Sequence, residues 1–292
     1  MPSGCKVKHV ESPLTLHEIR ILVNGFARNG ITKVRITGGE PLLRDDVIDI
    51  VRLVIKTPGI KTVGLTTNGT NLARYASDLV RAGLKSVNIS LDTLNRETFR
   101  RITSCDRLCD VLAGLDAAVC AGFEKVKINT VVMRNLNDKE VQDIARLAQK
   151  LQVDVRFIEL MPLGHSSDKW RSMYISADEI RSILGDPSPR LDQGNSSAQL
   201  FDLPGGVGTV GIISPMSKPF CDACNRIRVT SSGVIKPCLR LHFEEDIRSI
   251  LSEPDFNARL AEIMARVSSR KLSGSSAVTA AIDAKAMSSV GG

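Results

Sequence analysis

Aromatic residues are scarce in this sequence: they make up 4% of its 292 residues. So low a content argues against a surface for single-stranded nucleic acid, on which bases stack against successive aromatic rings. No apolar run approaches the roughly 20 residues that a membrane-spanning helix needs. Lysine and arginine are interleaved with acidic residues and form no basic block. The sequence therefore predicts neither a membrane segment nor a nucleic-acid partner.

Several familiar catalytic and nucleotide-binding motifs are also missing. The chain has no GxxxxGK[ST] loop for phosphates, no HExxH zinc motif and no GxSxG nucleophile turn. A GxGxxG run occurs at Gly206, Gly208 and Gly211, but a strand-like segment follows it where a dinucleotide-binding fold requires a helix. We interpret this run as a bend or bulge in the backbone.

Charge and cysteine content favour a reducing compartment and an anionic ligand. Seven cysteines are an odd number in a long chain, which is atypical of a secreted disulfide framework. The first residues show neither a secretory signal nor a transit-peptide pattern. From the cysteine count we expect an intracellular protein with free thiols. The formal net charge of +7 favours anionic partners such as phosphorylated small molecules.

The first half of the chain alternates helix-like and strand-like segments. Predicted helices cover residues 15–30, 45–56, 72–82, 106–121 and 138–150, and the predicted strands are KVRIT, TVGLTT, SVNISLD, KVKINTVVM and DVRFIEL. The strands read as β-branched runs with little alternation, which predicts a sheet covered on both faces. This order indicates an α/β fold with a parallel sheet or barrel, whose strand carboxyl ends carry the chemistry.

The turn TGGEPLLR follows the first predicted strand. Its paired glycines allow close approach of a ligand to the backbone, and Glu40 offers an acceptor for an ammonium group.

After residue 163 the composition changes, and the sequence predicts loops rich in Gly, Pro, Ser and Asp. There VGTVGIIS, IRVT and GVIKPC predict strands of a small second layer. We expect two regions, residues 1–163 and 164–292, the second ending in a small, polar tail.

Three cysteines in the second region form a CxxC-x13-C pattern. Cys221 and Cys224 share one turn, and the hairpin that follows returns Cys238 to it. This spacing predicts metal ligation. A structural zinc needs a fourth ligand, for which His242 is the nearest candidate, whereas a [4Fe–4S] cluster with three thiolates keeps one iron open. The other cysteines offer no third ligand nearby and are interpreted as incidental: Cys5, Cys105, Cys109 and Cys120.

Seven segments together resemble the GTP 3′,8-cyclase family of radical S-adenosylmethionine (SAM) enzymes. They are KVRITGGEPLLRDD, GLTTNGTNL, SVNISLDTLN, VKINTVVMRNLND, DVRFIELMPLG, GIISPMSKPFCDACNRIRVTSSGVIKPCL and the terminal GG. The resemblance implies an incomplete TIM-like (β/α)6 barrel with a C-terminal α+β extension carrying an iron–sulfur site. It implies a lyase that converts GTP to (8S)-3′,8-cyclo-7,8-dihydroguanosine 5′-triphosphate, the first step of molybdenum cofactor (molybdopterin) biosynthesis.

The family uses two [4Fe–4S] clusters and SAM. One cluster, on a CxxxCxxC loop, cleaves SAM to a 5′-deoxyadenosyl radical that abstracts the ribose 3′ hydrogen of GTP, and the second binds GTP. The resemblance makes Cys221, Cys224 and Cys238 the ligands of the second cluster. It implies GTP contacts at Arg35, Thr66, Lys127, Arg156, Arg226, Ile227 and Arg228. It implies SAM contacts at Gly39, Ser90 and Met161, and a tail, Gly291 and Gly292, that reaches the active site.

The resemblance also implies partners and a location. These are a reductant for the cluster, a homodimer, and a downstream cyclic pyranopterin monophosphate synthase. Bacterial members are expected in the cytoplasm and eukaryotic members in the mitochondrial matrix.

One family feature, the CxxxCxxC stretch, does not occur in this chain. The family pattern has it immediately before the MPSG with which the sequence opens, so we expect a truncated sequence that also lacks the first barrel strand. As printed, the chain is then expected to fail at SAM cleavage. Two alternatives are a catalytically inactive, GTP-binding remnant with a single cluster and a zinc-stabilised nucleic-acid module.

Overall fold

The computed structural model describes residues 12–163, 169–191, 197–202, 205 and 207–271. Its first part confirms the predicted alternation of helices and strands. The strands are β1 Lys33–Ile36, β2 Thr62–Thr67, β3 Ser86–Ser90, β4 Lys125–Val132 and β5 Val153–Glu159. The helices are α1 Leu16–Arg28, α2 Val47–Lys56, α3 Leu72–Arg81, α4 Arg96–Thr103, α5 Leu108–Ala121 and α6 Val141–Lys150, with short 3-10 turns at Pro41–Leu43 and Asp138–Glu140.

Local caps explain where these helices begin and end. Before α1, the backbone N–H of Glu18 donates to Thr15 Oγ1 at 3.2 Å, and the Thr15 N–H donates back to Glu18 Oε2 at 2.7 Å. The chain leaves α1 through Gly30, whose φ of 85° favours glycine. Helix α4, which our prediction missed, begins after Asn95, whose Oδ1 accepts from two backbone N–H groups of the first turn.

The main sheet contains one strand that we predicted elsewhere. Its order is β1-β2-β3-β4-β5-β7-β6, where β6 is Gln199–Phe201 and β7 is Val210–Ile213. All neighbouring pairs are parallel except β6 with β7. The assignment of VGTVGIIS to a second layer was therefore wrong: β7 runs parallel beside β5. Its short apolar run is buried in the same core as the first five strands.

The expectation of two equally covered sheet faces was also wrong. Residues along β4 alternate, with Val126, Ile128, Thr130 and Val132 buried and the residues between them less so. The buried face packs against the helices in one large core. The opposite face carries the polar residues of each strand. The sheet is thus amphipathic, and its polar face is available for a ligand.

Closure of this sheet into an incomplete barrel stays a prediction. Within the described residues the sheet has two edges, β1 and β6. Two short helices, α7 Trp170–Met173 and α8 Ala177–Ile183, lie between β5 and β6 along the chain. None of the helices in the described ranges has the length and apolar character needed to cross a bilayer.

A smaller antiparallel sheet and the last helix form a second core. The strands β8 Arg228–Val229, β9 Val234–Lys236 and β10 Glu245–Asp246 follow the order β10-β9-β8, which confirms the predicted strands IRVT and GVIKPC. Helix α9, Phe256–Ser269, packs on α1 at Gly25, where a Cβ atom would lie 2.7 Å from Leu260. The predicted boundary at 163/164 stays a prediction, since the main sheet continues past it through β6 and β7.

Candidate functional site

The register of the main sheet brings four of the predicted GTP-contacting residues to one face. Residues paired directly across neighbouring strands point to the same side of a sheet. Thr66 pairs with Asn88, which pairs with Lys127. Arg35 pairs with Gly64, two residues before Thr66, so it shares their side. Arg156 pairs with Asn129, two residues after Lys127, and completes the group.

Two glycines make room for the arginines of this face. A Cβ atom on Gly64 would lie 3.0 Å from Arg35 Nη1, and one on Gly211 would lie 2.8 Å from Arg156 Nη1. The Arg35 guanidinium therefore lies flat over Gly64, and the Arg156 side chain passes over Gly211. Gly211 belongs to the GxGxxG run and is a regularly paired residue of β7, so the predicted bend or bulge does not occur at this glycine. Gly206 lies outside the described residues.

Arg156 is the most enclosed cation of the face. Only 6% of the Arg156 surface is exposed to solvent. Its Nη1 donates to Thr209 Oγ1 at 3.2 Å, and its Nη2 lies 3.3 Å from Asp154 Oδ2. These contacts hold the guanidinium in one orientation, with Asp154 as a partial counter-charge.

The cations of this face repel one another. Burial lowers the pKa of Lys127, and the nearby charges of Arg156 and Arg35 lower it further. Burial and the charge of Arg226 lower the pKa of Arg35 in the same way. Arg226 precedes β8, so the cysteine-containing loop reaches the polar face of the main sheet. Such an excess of positive charge is stable chiefly when an anion binds to it.

The remaining predicted GTP contacts lie near Arg226. Burial and then the Arg226 charge lower the pKa of Arg228, the first residue of β8. The Arg226 guanidinium sits 5.6 Å from the centre of the Phe220 ring. Ile227 instead packs against the second core, which leaves its backbone as the part available to a ligand.

The three predicted SAM contacts lie at the carboxyl edge of the sheet. Gly39 follows β1, Ser90 ends β3 and Met161 follows β5. Strands β1 and β5 are separated by three others, a distance of about 19 Å across a flat sheet. One ligand touching all three residues therefore requires a strongly curved edge.

Glu40 of the TGGE turn holds two loops together. Its Oε1 accepts from Thr67 Oγ1 at 2.7 Å and from the Leu42 N–H at 3.0 Å, and its Oε2 accepts from the Asn68 N–H at 2.7 Å. The carboxylate thus fixes the turn after β1 against the end of β2. A carboxylate has about four acceptor positions, so capacity for an ammonium donor remains.

The three predicted cluster ligands lie near one another. The Cys224 N–H donates to the Cys221 carbonyl at 3.1 Å, which closes the CxxC turn. Burial raises the pKa of the Cys221 thiol, Cys238 raises it further and Arg240 opposes both. All three cysteines are partly buried. By contrast, Cys105, Cys109 and Cys120 are exposed, and Cys5, Gly291 and Gly292 lie outside the described residues.

Two family models match consecutive parts of the chain. The Radical SAM superfamily matches residues 6–148, and Molybdenum Cofactor Synthesis C matches residues 153–276. The GTP 3′,8-cyclase of Alkaliphilus oremlandii is 44% identical over 83% of this chain and 76% of its own length. The GTP 3′,8-cyclase of Moorella thermoacetica is 41% identical over 100% of this chain and 92% of its own length. The chain belongs to the GTP 3′,8-cyclase family.

Membership of the GTP 3′,8-cyclase family gives the function: a radical SAM enzyme of molybdenum cofactor biosynthesis. It disfavours the alternative of an inactive GTP-binding remnant. The radical SAM superfamily implies a [4Fe–4S] cluster and SAM as cofactors.

A radical SAM methyltransferase from Sphaerobacter thermophilus has a similar fold. Its TM-score is 0.50 at 18% identity, over 68% of this chain and 58% of that one. At this identity the similarity supports the α/β radical SAM fold, with its mostly parallel sheet, and nothing finer.

A buried arginine with two guanidinium nitrogens that lack a hydrogen-bond partner indicates that the cysteines of this GTP 3′,8-cyclase suit an iron–sulfur cluster. Among the described residues, no three His, Cys, Asp or Glu side chains converge on a point that could hold one metal ion. Beside the cysteines, however, Arg240 is 3% exposed and its Nε and Nη2 have no hydrogen-bond partner. Three thiols next to unpaired cationic donors fit a [4Fe–4S] cluster. Such a cluster is anionic with its thiolates, and each thiolate binds a different iron atom.

Sequence reasoning missed several residues of the site. Lys33, Lys125 and Asn88 share the polar face, and the alternation of β1, β3 and β4 was the signal that would have revealed them. Asn88 Oδ1 is buried without a hydrogen-bond partner. Arg240 lies in a loop after β9, where no periodicity predicts burial.

Proposed function

We propose that the polar face of the main sheet binds the triphosphate of GTP. Arg35, Lys127 and Arg156 supply cations from the sheet, and Arg226 and Arg228 supply them from the loop around the cysteines. Thr66 adds a hydroxyl, and the backbone of Ile227 adds a further contact. Guanidinium groups match phosphate oxygens through paired, charge-assisted hydrogen bonds.

The gathering of these cations at one site is the observation that carries the proposal: burial and neighbouring positive charges lower the pKa values of Arg35, Lys127 and Arg228. Like charges gathered on a partly buried surface destabilise one another unless an anion compensates them. A triphosphate compensates several at once. The five cations also come from both regions of the chain, so one substrate would join them.

We further propose that Cys221, Cys224 and Cys238 hold a [4Fe–4S] cluster on the guanine side of the substrate. When bound, this cluster supplies an iron coordination position that three cysteines leave open. Arg226 and Arg228 follow the CxxC turn directly, so base and phosphates would be bound by one segment.

The SAM contacts are proposed at Gly39, Ser90 and Met161, on the carboxyl edge adjoining the polar face. SAM bound there, beside a [4Fe–4S] cluster, would supply the radical that starts the cyclisation. The residues of the polar face would hold the ribose against that edge. The proposal also includes a tail, Gly291 and Gly292, that reaches the active site. Its partners are a second copy of the chain in a homodimer, a reductant for the cluster and a downstream cyclic pyranopterin monophosphate synthase.

Equilibrium binding of nucleotides to the anaerobically reconstituted protein tests this function. We expect affinity to fall in the order GTP, GDP, GMP and to weaken with salt, because the phosphates provide most of the attraction. Lys127→Gln is expected to reduce the preference for GTP over GMP, while Arg259→Gln, on the exposed face of α9, is not. Equal affinity for GTP and guanosine would overturn the proposal.

Metal analysis of the same sample separates the cluster from zinc. We expect iron and acid-labile sulfide in equal amounts, both lost in Cys221→Ala. One zinc per chain without iron or sulfide would instead favour the nucleic-acid module.

A further inference from the structure

Arg240 presents a buried charge with two guanidinium nitrogens that have no acceptor. The residue is 3% exposed, and its Nε and Nη2 have no hydrogen-bond partner among the described residues. An unpaired buried donor destabilises the folded state, and a charged one does so more strongly. Such a group is rare in folded proteins and calls for a specific explanation.

The position of Arg240 indicates what its donors could meet. Arg240 follows Cys238, one proposed cluster ligand, by two positions in the chain. Its backbone N–H donates to Cys238 Sγ, with 3.5 Å between nitrogen and sulfur. The buried guanidinium therefore belongs to the arm of the site that carries Cys238.

The other cations of this region are used differently. Lys236 is fully buried but lies 3.5 Å from Glu244 Oε2, so it has its own counter-charge. Lys271 Nζ donates to the Cys224 carbonyl at 2.7 Å. Arg226 acts on Arg35 of the polar face, and Arg228 lies near Arg226, Cys238 and Cys224. Arg240 differs from them in combining burial, two guanidinium nitrogens without a hydrogen-bond partner and a backbone N–H that donates to a cysteine sulfur.

We propose that Arg240 is a positioning residue for the iron–sulfur cluster, its Nε and Nη2 donating to sulfur atoms of that cluster. The inference rests on the proposed function, because it requires a cluster on Cys221, Cys224 and Cys238. A fixed cation and hydrogen bonds to sulfur both stabilise the reduced, more negative cluster. Arg240 thereby holds the cluster in place and raises its reduction potential.

The first test compares stability without iron. Arg240→Met removes the unpaired charge and keeps an apolar side chain of comparable length. In metal-free protein we expect its Tm to equal or exceed that of the wild type, since buried unpaired charges are destabilising. Arg259→Met, on an exposed helix face, is the control. A large loss of Tm in metal-free Arg240→Met would instead mean that the protein itself satisfies the guanidinium, and would overturn the inference.

The second test follows the cluster itself. After anaerobic reconstitution with ferrous iron and sulfide, we expect Arg240→Met to retain the cluster about tenfold less well against an iron chelator. Its midpoint potential, from a redox titration followed by electron paramagnetic resonance, should be more negative than that of the wild type. Arg240→Lys keeps the charge but loses the planar pair of donors, and should lie between the two.

The outcomes distinguish this inference from the function on which it rests. If the wild-type protein binds iron and sulfide and Arg240→Met matches it in retention and potential, only the role of Arg240 is wrong. If the wild-type protein binds no cluster, the cluster assignment fails and the role of Arg240 fails with it.

Discussion

The guanidinium of Arg35 lies over Gly64, the residue paired with it on the neighbouring strand. A Cβ atom at Gly64 would come within 3.0–3.1 Å of three guanidinium atoms and would displace them. The glycine is therefore part of the cationic face although it contributes no functional group. Gly211, paired with Arg156 across β7 and β5, also leaves room for an arginine: a Cβ atom there would lie 2.8 Å from Arg156 Nη1 and 2.9 Å from Arg156 Cδ.

Gly64→Ala is expected to weaken GTP binding with little effect on stability. The clash falls on the flexible end of a side chain, so the backbone need not move, but the guanidinium must leave its position. We expect a loss in affinity of up to about tenfold, as for one misplaced charge-assisted hydrogen bond. A double-mutant cycle checks the cause: in an Arg35→Ala background, Gly64→Ala should cost no further affinity. Additive losses would contradict this coupling.

Arg156→Gln is expected to reduce GTP affinity more than Gly64→Ala does, by roughly 10- to 100-fold, because its charge is enclosed and oriented. Titration calorimetry with GTP and with GMP measures the loss. The loss should shrink for GMP, which presents fewer phosphates. Arg266→Gln, whose ion pair with Glu245 lies on the exposed surface, is the matched control. An equal loss for both nucleotides would place Arg156 away from the phosphates.

Asn88→Ala is expected to weaken ligand binding without weakening the empty protein. Its Oδ1 is buried and unpaired between Thr66 and Lys127, so deleting it removes an unsatisfied acceptor. Thermal unfolding should show almost no change in Tm without nucleotide. With saturating GTP, the variant should gain less Tm than the wild type does. A large loss of Tm in both conditions would mean that Asn88 has a purely structural role.

Asp92 predicts a specific pH dependence of stability. Burial raises its pKa from 3.8 to about 6, although the Val131 N–H donates to Oδ1 at 2.8 Å and opposes the shift. The folded state thus binds more protons than the unfolded state between these values, so stability falls as the pH rises from about 4 to 6. Asp92→Asn should remove this fall and stabilise the protein by roughly 1–3 kcal/mol at pH 8. Chemical denaturation at pH 4 and pH 8 measures it, with no difference expected at pH 4.

The sequence predicted the first five strands and their helices because local signals agreed there. Capping at Thr15 and the glycine at Gly30 bound α1, and Asn95 was a usable signal for α4 that we passed over. It misassigned β7, since a four-residue apolar strand carries no sign of which sheet it joins. The large core forms between segments far apart in the chain, and local patterns do not encode that choice.

The candidate site, like the fold, could be predicted where local sequence patterns determine it, but not where packing between distant segments does. The motif resemblance predicted Arg35, Lys127 and Arg156, and the register brings them to one face. The alternation that defines this face is visible in KVKINTVV, but we interpreted the strands as uniformly apolar. Arg240 could not be predicted, because its burial depends on the packing of a loop against distant residues.

The second core sets an order of events in folding. It joins Leu14, Leu22 and Phe26 to residues beyond 234, so more than 200 residues must be synthesised before it can form. Until then the apolar stripe of α1 has no partner, and a nascent chain carries it exposed to chaperones or to aggregation. The loop bearing Cys221, Cys224 and Cys238 is anchored on this late core through β8 and β9. Iron and sulfide would therefore be inserted only after this late core has formed.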